Sequence, residues 1–248
     1  MDQATYFDDF AAFYDAYYDA IEGDVEFYRD IALEADGPVL EVGCGTGRIY
    51  LELVRKGVDA DGIDVSDGML DVLRERAREH GIEPTVWNDD LRAFETEREY
   101  SLVIVPFRAF LHLTTVEDQV DALERIHDAL EPRGRLVLNV FTPNYEVICE
   151  HYGKWEESNL TVDGNEYVHR TKTELVDEVE GIAGIRSEVR EREGAKVFEN
   201  ETEIALVTKR EFELLFRVSP FRSWEVYGGF EYDPLETSSQ EMVWIAHR

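Results

Sequence analysis

A glycine-rich turn near the start of the chain stands between a short apolar run and a helical stretch. The run Val39–Val42 is followed by Gly43-Cys44-Gly45-Thr46-Gly47, and residues 48–56 then show helical periodicity. Glycines let a backbone turn sharply and approach a ligand closely. The helix after the turn offers free N–H groups to a polar part of that ligand. We expect a ligand-binding turn here, although a tight strand-to-helix turn would leave the same pattern.

Carboxylates follow the next two predicted strands. Asp64 lies at the end of the second strand, and Asp89 and Asp90 follow the third. An acid at the end of the second strand can accept hydrogen bonds from both hydroxyls of a ribose. Asp89 and Asp90 are each placed to accept from an adenine amino group, with Leu91 packing on the ring. The sequence therefore predicts a nucleoside site, with the choice between the two later acids left open.

Strands and helices alternate five times over the first part of the chain, which predicts a parallel sheet with helices on both faces. The strands are nearly continuous apolar runs, as expected when both faces of a sheet are covered. Aromatic residues at helical spacing in residues 6–34 predict one or two further helices. The predicted strands are 39–42, 58–65, 84–87, 101–106 and 135–141, with helices over 48–56, 67–80 and 117–130 and a turn at Pro132–Gly134.

The pattern changes after Pro143, where apolar and polar residues alternate with a period of two over about 154–208. This alternation predicts three or four antiparallel strands. A helix over 209–216 and two final strands, 223–227 and 241–247, then return to the main sheet. Turns between these strands are expected at Asp163–Asn165, Gly181–Gly184 and Glu193–Gly194, and a weaker polar interruption at Glu199–Glu201.

Four segments, in order, resemble the motifs of class I S-adenosylmethionine-dependent methyltransferases. They are residues 38–49, residues 62–66 with Met69-Leu70, residues 90–94, and residues 105–113 with 117–119. The last segment and the β-rich insert resemble a bacterial and archaeal small-molecule branch of that family. The resemblance implies an α/β, Rossmann-like, doubly wound and mostly parallel seven-stranded sheet with an antiparallel last strand. Residues 1–143 and 209–248 would form this domain, and residues 144–208 a small antiparallel β lid.

The resemblance also implies S-adenosylmethionine as the cofactor and a role for each motif residue. The glycines would line the methionine and ribose, and Glu41 would orient the turn or approach the methionine amino group. Val65 and Met69 would flank the adenine, and Pro106 and Phe107 would form the wall beside the sulfonium. Tyr6 and Tyr14 would close over the cofactor, unless they only pack a helix on the sheet. The expected cofactor-binding set is Tyr14, Glu41, Gly43, Cys44, Gly45, Gly47, Asp64, Val65, Met69, Asp89, Asp90, Leu91, Pro106 and Phe107.

The candidate catalytic residues are His112 and Arg108, which follow the fourth predicted strand. Methyl transfer from a sulfonium is an in-line displacement, so the protein mainly positions the acceptor and excludes water. His112 is a candidate base, or alternatively a packed structural histidine. Arg108 is a candidate ligand for a substrate carboxylate, or alternatively one half of an ion pair. His151 and His169, in the predicted lid, are weaker candidates to face the acceptor, and no metal site is expected.

The charge balance is strongly acidic. The chain has 248 residues, 55 acids and 25 bases, and a formal net charge of −30, and only five of the bases are lysines. Such a surface repels nucleic acid and anionic membranes, so we expect neither as a partner. Acidic, lysine-poor surfaces resemble those of proteins from extreme halophiles, and a haloarchaeal origin is expected. The alternative is an acidic protein that binds a basic partner.

Other function classes remain beside the expected small-molecule methyltransferase. These are a non-catalytic module that keeps the cofactor pocket, a protein or RNA methyltransferase, and a nicotinamide oxidoreductase. The Gly-x-Gly-x-Gly spacing and the closing hairpin count against the last, because the pyrophosphate turn reads Gly-x-Gly-x-x-Gly. Cys44 and Cys149 lack the spacing of a zinc site and are expected as free thiols in a reducing cytoplasm. We expect a monomer or a homodimer with no signal peptide and no transmembrane segment.

Overall fold

The central sheet follows the predicted topology. The computed structural model describes residues 3–18, 21–192 and 194–248. Its main sheet has seven strands in the order β10-β11-β5-β4-β1-β2-β3, with all pairs among β1 to β5 parallel and β11 antiparallel to both neighbours. The predicted fold class is therefore confirmed. The strands are β1 (Val39–Val42), β2 (Ala60–Asp64), β3 (Thr85–Asn88), β4 (Tyr100–Val105), β5 (Leu130–Phe141), β10 (Ser223–Tyr227) and β11 (Glu241–His247).

Helices cover both faces of this sheet, and their ends carry the capping residues that the sequence shows. Ser66 accepts a hydrogen bond from the Met69 N–H at 3.0 Å and caps the helix after β2, as its position suggests. The helices are α1 (Gln3–Tyr17), α2 (Asp24–Leu33), α3 (Tyr50–Arg55), α4 (Asp67–Glu79), α5 (Val116–Ala129), α6 (Tyr145–His151) and α7 (Lys209–Val218), with a 3-10 turn at Ala109–His112. No helix within these ranges is long and apolar enough to cross a membrane.

The core lies on the two faces of the main sheet, because successive side chains of a strand point to opposite faces. On β4, Val103 and Val105 belong to the apolar cluster on one face, while Leu102 and Ile104 belong to the cluster on the other. All six residues of this strand are buried. Since strand order reverses between β1 and β4, their carboxyl ends open into a crevice, which is where ligands bind in open α/β sheets.

The β-rich region forms a separate four-stranded antiparallel sheet, called the small sheet below. It consists of β6 (Trp155–Val162), β7 (Asn165–Asp177), β8 (Ile182–Glu191) and β9 (Lys196–Ala205), paired in chain order. Helix α1 packs its aromatic face on this sheet, where Tyr6 and Phe10 meet Val189 and Phe198 in a buried cluster. The small sheet, α1 and the carboxyl ends of the main strands thus enclose one space.

Three local predictions were wrong. Helix α6 was missed because its seven residues contribute no buried side chain, so no apolar periodicity marks it. The expected break at Glu199–Glu201 lies inside β9, where an edge strand tolerates polar residues on its open face. The turn at Pro132–Gly134 is a bulge within β5, with Arg133 at φ 77°. The expected break at Glu193 lies outside the described residues.

Candidate functional site

A large cavity lies at the carboxyl ends of β1, β2, β3 and β4, below α1 and the small sheet. It encloses about 1300 Å³ including its open mouth. From the first two motifs it is lined by Gly43, Gly45, Asp64, Val65 and Met69. From the last two motifs, and from Asp89 directly before the third, it is lined by Asp89, Asp90, Leu91, Pro106 and Phe107. The structure therefore brings four separated segments of the chain to one space.

The glycine turn needs glycine at the two positions that face the cavity. Gly43 and Gly45 have φ values of 75° and 52°, in the left-handed region that glycine adopts most readily. A Cβ atom on Gly43 would come within 2.9 Å of the Ala109 Cβ, so the turn also packs closely against the segment after β4. The Gly45 N–H donates to Asp64 Oδ2 at 2.8 Å, which ties the turn to the end of β2.

Asp64 accepts a backbone hydrogen bond on each of its two carboxylate oxygens. Its second oxygen, Oδ1, accepts a hydrogen bond from the Ser66 N–H at 2.9 Å. Burial raises the pKa of Asp64 to about 6, although these backbone N–H groups oppose the shift. Both oxygens keep acceptor capacity for a ligand, because a carboxylate offers about four lone-pair sites. Asp64 is thus ionised and directed into the cavity at neutral pH.

The two acids after β3 both line the cavity, and both have partners within the protein. Asp90 accepts from the Arg92 guanidinium Nε at 2.9 Å, and this pairing lowers the pKa of Asp90. Asp89 accepts from the Trp87 indole N–H at 3.2 Å and from the Asp90 N–H at 2.9 Å. Leu91 lies beside them in the cavity wall. The choice between Asp89 and Asp90 stays open.

The wall after β4 is a strained turn held by a buried asparagine. Phe107 and Arg108 have φ values of 53° and 67°, which residues other than glycine seldom adopt. Asn139, fully buried on β5, accepts from the Phe107 N–H at 2.8 Å through its side chain and from the Arg108 N–H at 3.1 Å through its carbonyl. Backbone strain of this kind persists only where the surroundings impose it, and it concentrates at functional sites.

Arg108 is half of an ion pair, the alternative considered for it above. Its Nε donates to Glu241 Oε1 at 3.1 Å, and Asn139 Nδ2 donates to Glu241 Oε2 at 3.1 Å. The guanidinium also lies 5.3 Å from the centre of the Phe141 ring. Because its charge is already compensated, a substrate carboxylate would have to displace Glu241 to bind Arg108.

Three expected residues do not reach the cavity surface. Cys44 is buried in the core against Gly62. A Cβ on Gly47 would come within 2.7 Å of the Leu73 Cγ, so Gly47 is needed for helix packing. Glu41 is 2% exposed and burial raises the pKa of its carboxyl; its Oε2 has no hydrogen-bond partner within the described part of the chain. Arg48, which raises no expectation from the sequence, pairs nearby with buried Asp24 at 2.6 Å.

Helix α1 closes the cavity from above. Tyr14 lines it, as expected, together with Tyr6, Phe7 and Tyr18. Two carboxylates fasten the helix to the motif segments. Asp8 Oδ1 accepts from the Ser66 hydroxyl at 2.6 Å and from the Gly68 N–H at 2.8 Å. Asp15 accepts from the Thr46 hydroxyl at 2.8 Å and also pairs with Arg76.

We expect Asp8→Ala to release the amino-terminal half of α1 from α4. The substitution leaves the Ser66 hydroxyl and the Gly68 N–H without their acceptor, a loss of about 1–3 kcal/mol. Hydrogen exchange should show faster amide exchange in α1 with little change in β1 or β4. Asp9→Ala is the matched control, because the neighbouring Asp9 is equally exposed and has no hydrogen bond or ion pair in the described ranges. Equal exchange in both variants would refute the attachment.

The three histidines considered above have different surroundings. His112 lines the cavity, and its Nδ1 lies 3.2 Å from the carbonyl oxygen of Glu203 on β9. His169 is 1% exposed and packs against Phe10 and Tyr17 of α1, so it does not face the cavity. His151 is exposed and lies 3.2 Å from the Glu156 carboxylate, also away from the cavity.

Several cavity residues carry no sequence signal. Phe7, Ile185, Thr202 and Ile204 line the part of the cavity below the small sheet. The alternation of apolar and polar residues shows which face of a strand is buried. It cannot distinguish a face that packs on the core from one that lines a ligand cavity. Asn139 lies inside an apolar run and is distinguished only by being polar there.

Comparisons with known proteins agree with this architecture. Residues 39–134 match the family model described as a methyltransferase domain. The ubiquinone biosynthesis O-methyltransferase of Ruegeria pomeroyi is 29% identical over 122 residues, 48% of this chain and 48% of that protein. The chain spans about half the length of the curated relatives that it matches.

Solved structures match over nearly the whole chain. The CcbJ methyltransferase of Streptomyces caelestis has a TM-score of 0.81 at 24% identity and covers 99% of this chain and 98% of its own. CalS10, an amino pentose methyltransferase of Micromonospora echinaspora in its SAM-bound structure, has a TM-score of 0.70 at 20% identity and covers 96% of each chain. Likeness at these identities concerns the fold. The chain therefore has the Rossmann-like methyltransferase fold, with an antiparallel four-stranded sheet added after the fifth strand.

Proposed function

We propose that this protein is an S-adenosylmethionine-dependent methyltransferase that moves a methyl group to a small-molecule acceptor. The observation that carries the proposal is the convergence of the glycine turn, Asp64 and the two acids after β3 on one cavity. The match of residues 39–134 to the methyltransferase domain supports it. The names of the relatives, which include a ubiquinone-pathway O-methyltransferase and an amino pentose methyltransferase, support a small acceptor.

The residues present fit the cofactor. Gly45 leaves open space where a side chain would stand, Asp64 suits the ribose hydroxyls, and Leu91 with Asp89 or Asp90 suits the adenine. Glu41 lies just behind the turn with its Oε2 unpaired among the described residues, and its carboxyl would have to turn into the cavity to accept from the methionine amino group. When bound, S-adenosylmethionine supplies an activated methyl group on a sulfonium. Aromatic faces stabilise a cation, and Phe107, Tyr14 and Tyr18 provide them at the cavity wall.

The acceptor would enter below the small sheet, so we propose that residues 144–208 act as the lid of the domain formed by 1–143 and 209–248. This part of the cavity is lined mainly by apolar side chains, including Ile185 and Ile204. An apolar lobe excludes water from the reacting centre. The polar groups there are neutral: the Tyr6 hydroxyl, bonded to Ser187 at 3.0 Å, His112 and Thr202. The lobe therefore fits an acceptor whose reactive end is uncharged.

His112 is suited to hold the proton of the acceptor. A carbonyl oxygen can only accept, so Nδ1 donates to Glu203 and Nε2 keeps its lone pair. Burial lowers the pKa of His112 to about 4, so the ring is neutral at pH 7 and can accept an N–H or O–H. A base this weak is better suited to orient the attacking lone pair of the acceptor than to remove the acceptor's proton.

Substitution of His112 by alanine is therefore expected to lower kcat by about 10²-fold, the low end for a positioned acid–base group. Binding of S-adenosylhomocysteine, measured by calorimetry, should change little because the contacts of His112 are with Phe7 and the Glu203 carbonyl, not with the residues assigned to the adenosyl group. Exposed His151→Ala serves as the control. If kcat were unchanged in His112→Ala, the histidine would be structural only.

Calorimetry with S-adenosylhomocysteine and with NAD tests the proposed function directly. Binding of the first and not the second is expected, and the reverse would show a nicotinamide enzyme. Transfer of labelled methyl to a panel of small amines and hydroxyl compounds then separates an enzyme from a non-catalytic binding module. Protein and RNA acceptors belong in the same panel, since methyl incorporation into them alone would favour the macromolecular class.

The acidic composition leads to a further proposal, that the protein works at high salt, as in haloarchaea, inside a reducing cytoplasm where Cys44 and Cys149 remain free thiols. At a net charge of −30, like charges repel across the folded surface. In molar salt the screening length falls to about 3 Å, which removes that repulsion. The melting temperature should therefore rise when the potassium chloride concentration is increased from about 0.1 M to about 1 M or more. A melting temperature indifferent to salt would contradict the proposal.

A further inference from the structure

A second cavity lies against the first, outside the residues assigned above to the cofactor. It opens between α6 and the segment that precedes β11, and it encloses about 740 Å³ including its mouth. Val147 and Ile148 of α6 form one wall, and Ser238 and Ser239 form the other.

The two cavities share one partition. Arg108 and Phe141 line both of them, and Glu241 lines the second. The Arg108–Glu241 ion pair stands in this partition and is fixed from behind by Asn139 Nδ2, which donates to Glu241 at 3.1 Å. A molecule whose reactive end occupies the apolar lobe can therefore extend past Arg108 and Phe141 into the second cavity.

The chemistry of the second cavity differs from that of the apolar lobe. Its wall combines apolar surface from Pro143 and Val147 with neutral hydroxyl and amide groups. The hydroxyls of Tyr152 and Ser238 and the Asn144 amide nitrogen have no hydrogen-bond partner within residues 3–18, 21–192 and 194–248, so they are available to a ligand. At the partition a guanidinium and a carboxylate lie side by side, a donor and an acceptor for neighbouring hydroxyls.

We infer that the second cavity is an outer subsite of the acceptor site and takes a neutral, polyhydroxylated ring of the acceptor, such as a glycosyl group. The inference rests on the proposed function. A carboxylate or phosphate is a poorer occupant, because Glu241 already neutralises the only guanidinium that lines the cavity in the described chain. A purely apolar ring is also poorer, because it would bury the Tyr152, Ser238 and Asn144 groups without partners.

The test measures binding of methyl β-D-glucopyranoside to the full-length protein loaded with S-adenosylhomocysteine, in molar salt, by ligand-observed NMR. Methoxycyclohexane, which has a ring of equal size without hydroxyls, is the matched ligand. Val147→Trp and Ser238→Trp fill the cavity from opposite walls. Tyr145→Trp is the control, because Tyr145 lies on α6 with 71% exposure and does not line the cavity.

The glycoside is expected to bind the wild type and the Tyr145→Trp variant equally. Both filling variants should weaken it by at least about tenfold, roughly 1.4 kcal/mol, while S-adenosylhomocysteine binds all four proteins alike. Absence of glycoside binding, or binding unaffected by both filling variants, would overturn the subsite. Equal binding of methoxycyclohexane would overturn the polyhydroxylated class. Failure of S-adenosylhomocysteine to bind would instead contradict the proposed function.

Discussion

Asp64→Ala is expected to weaken binding of S-adenosylhomocysteine by about 1.5–3 kcal/mol, roughly 10- to 150-fold, by calorimetry. Two losses combine in this variant. The proposed bonds from the ribose hydroxyls to a charged acceptor disappear, and such bonds are stronger than neutral ones. The N–H groups of Gly45 and Ser66, which donate to Asp64 at 2.8 and 2.9 Å, also lose their acceptor, so the turn is less well ordered before binding.

Asp71→Ala is the matched control for Asp64→Ala. Asp71 belongs to the helix that follows, its side chain is 76% exposed, and it pairs with Arg74. This control should bind the ligand like the wild type. Unchanged affinity in Asp64→Ala would remove the ribose assignment, and equal losses in both variants would indicate a general effect of charge.

The pH dependence of binding follows from the same carboxylate. Because burial raises the pKa of Asp64 to about 6, its acceptor strength is complete above that pH and declines below it. Affinity for S-adenosylhomocysteine should therefore be constant above neutral pH and fall as the pH drops through 6. In Asp64→Asn the side chain does not titrate, so this decline should be absent.

His169→Phe is expected to stabilise the folded protein, most strongly in mild acid. His169 is 1% exposed, and neither of its ring nitrogens has a hydrogen-bond partner among the residues that the structure describes. It packs instead on the rings of Phe10 and Tyr17, with ring centres 5.6 and 3.9 Å away. An unpaired buried polar group costs about 1–3 kcal/mol, so an apolar ring should raise the free energy of unfolding already at pH 7.

The acid effect has a definite sign. Burial lowers the pKa of His169 from 6.5 to about 4, so between these values the unfolded chain binds a proton that the folded protein does not. Stability is therefore lost as the pH falls from 6.5 to 4, by up to about 3 kcal/mol from this group. His112 acts in the same direction, whereas Asp64, with its raised pKa, acts in the opposite one below pH 6.

The measurement is the difference in the free energy of unfolding between His169→Phe and the wild type at several pH values, in constant high salt. Taking the difference cancels the contributions of His112 and Asp64. The difference should grow by up to about 3 kcal/mol from pH 7 to pH 4. His169→Leu controls for ring size, and exposed His151→Phe should show no such growth. A difference independent of pH would mean that His169 is hydrated or paired in solution.

Local patterns were sufficient for the main sheet and for the residues that the proposal assigns to the adenosyl group. The glycine turn, Asp64 and the acids after β3 each stand directly after a buried strand, so chain order alone places them at one edge of a parallel sheet. The apolar runs of β1 and β4 are likewise local features, and the structure has them where the sequence predicts them.

The acceptor side depends on contacts between residues far apart in the chain, and only the tertiary structure decided it. Arg108 donates to Glu241, which lies 133 positions later in the sequence, and His112 contacts the carbonyl of Glu203, which lies 91 positions later. Polar side chains show no local periodicity that identifies their partners. The sequence around a charged residue at a strand end is the same whether that residue faces water or forms an ion pair. The sequence by itself determined which strand ends form the proposed nucleoside site; the packing of α1 and the small sheet determined which side chains close the cavity and where the proposed acceptor would lie.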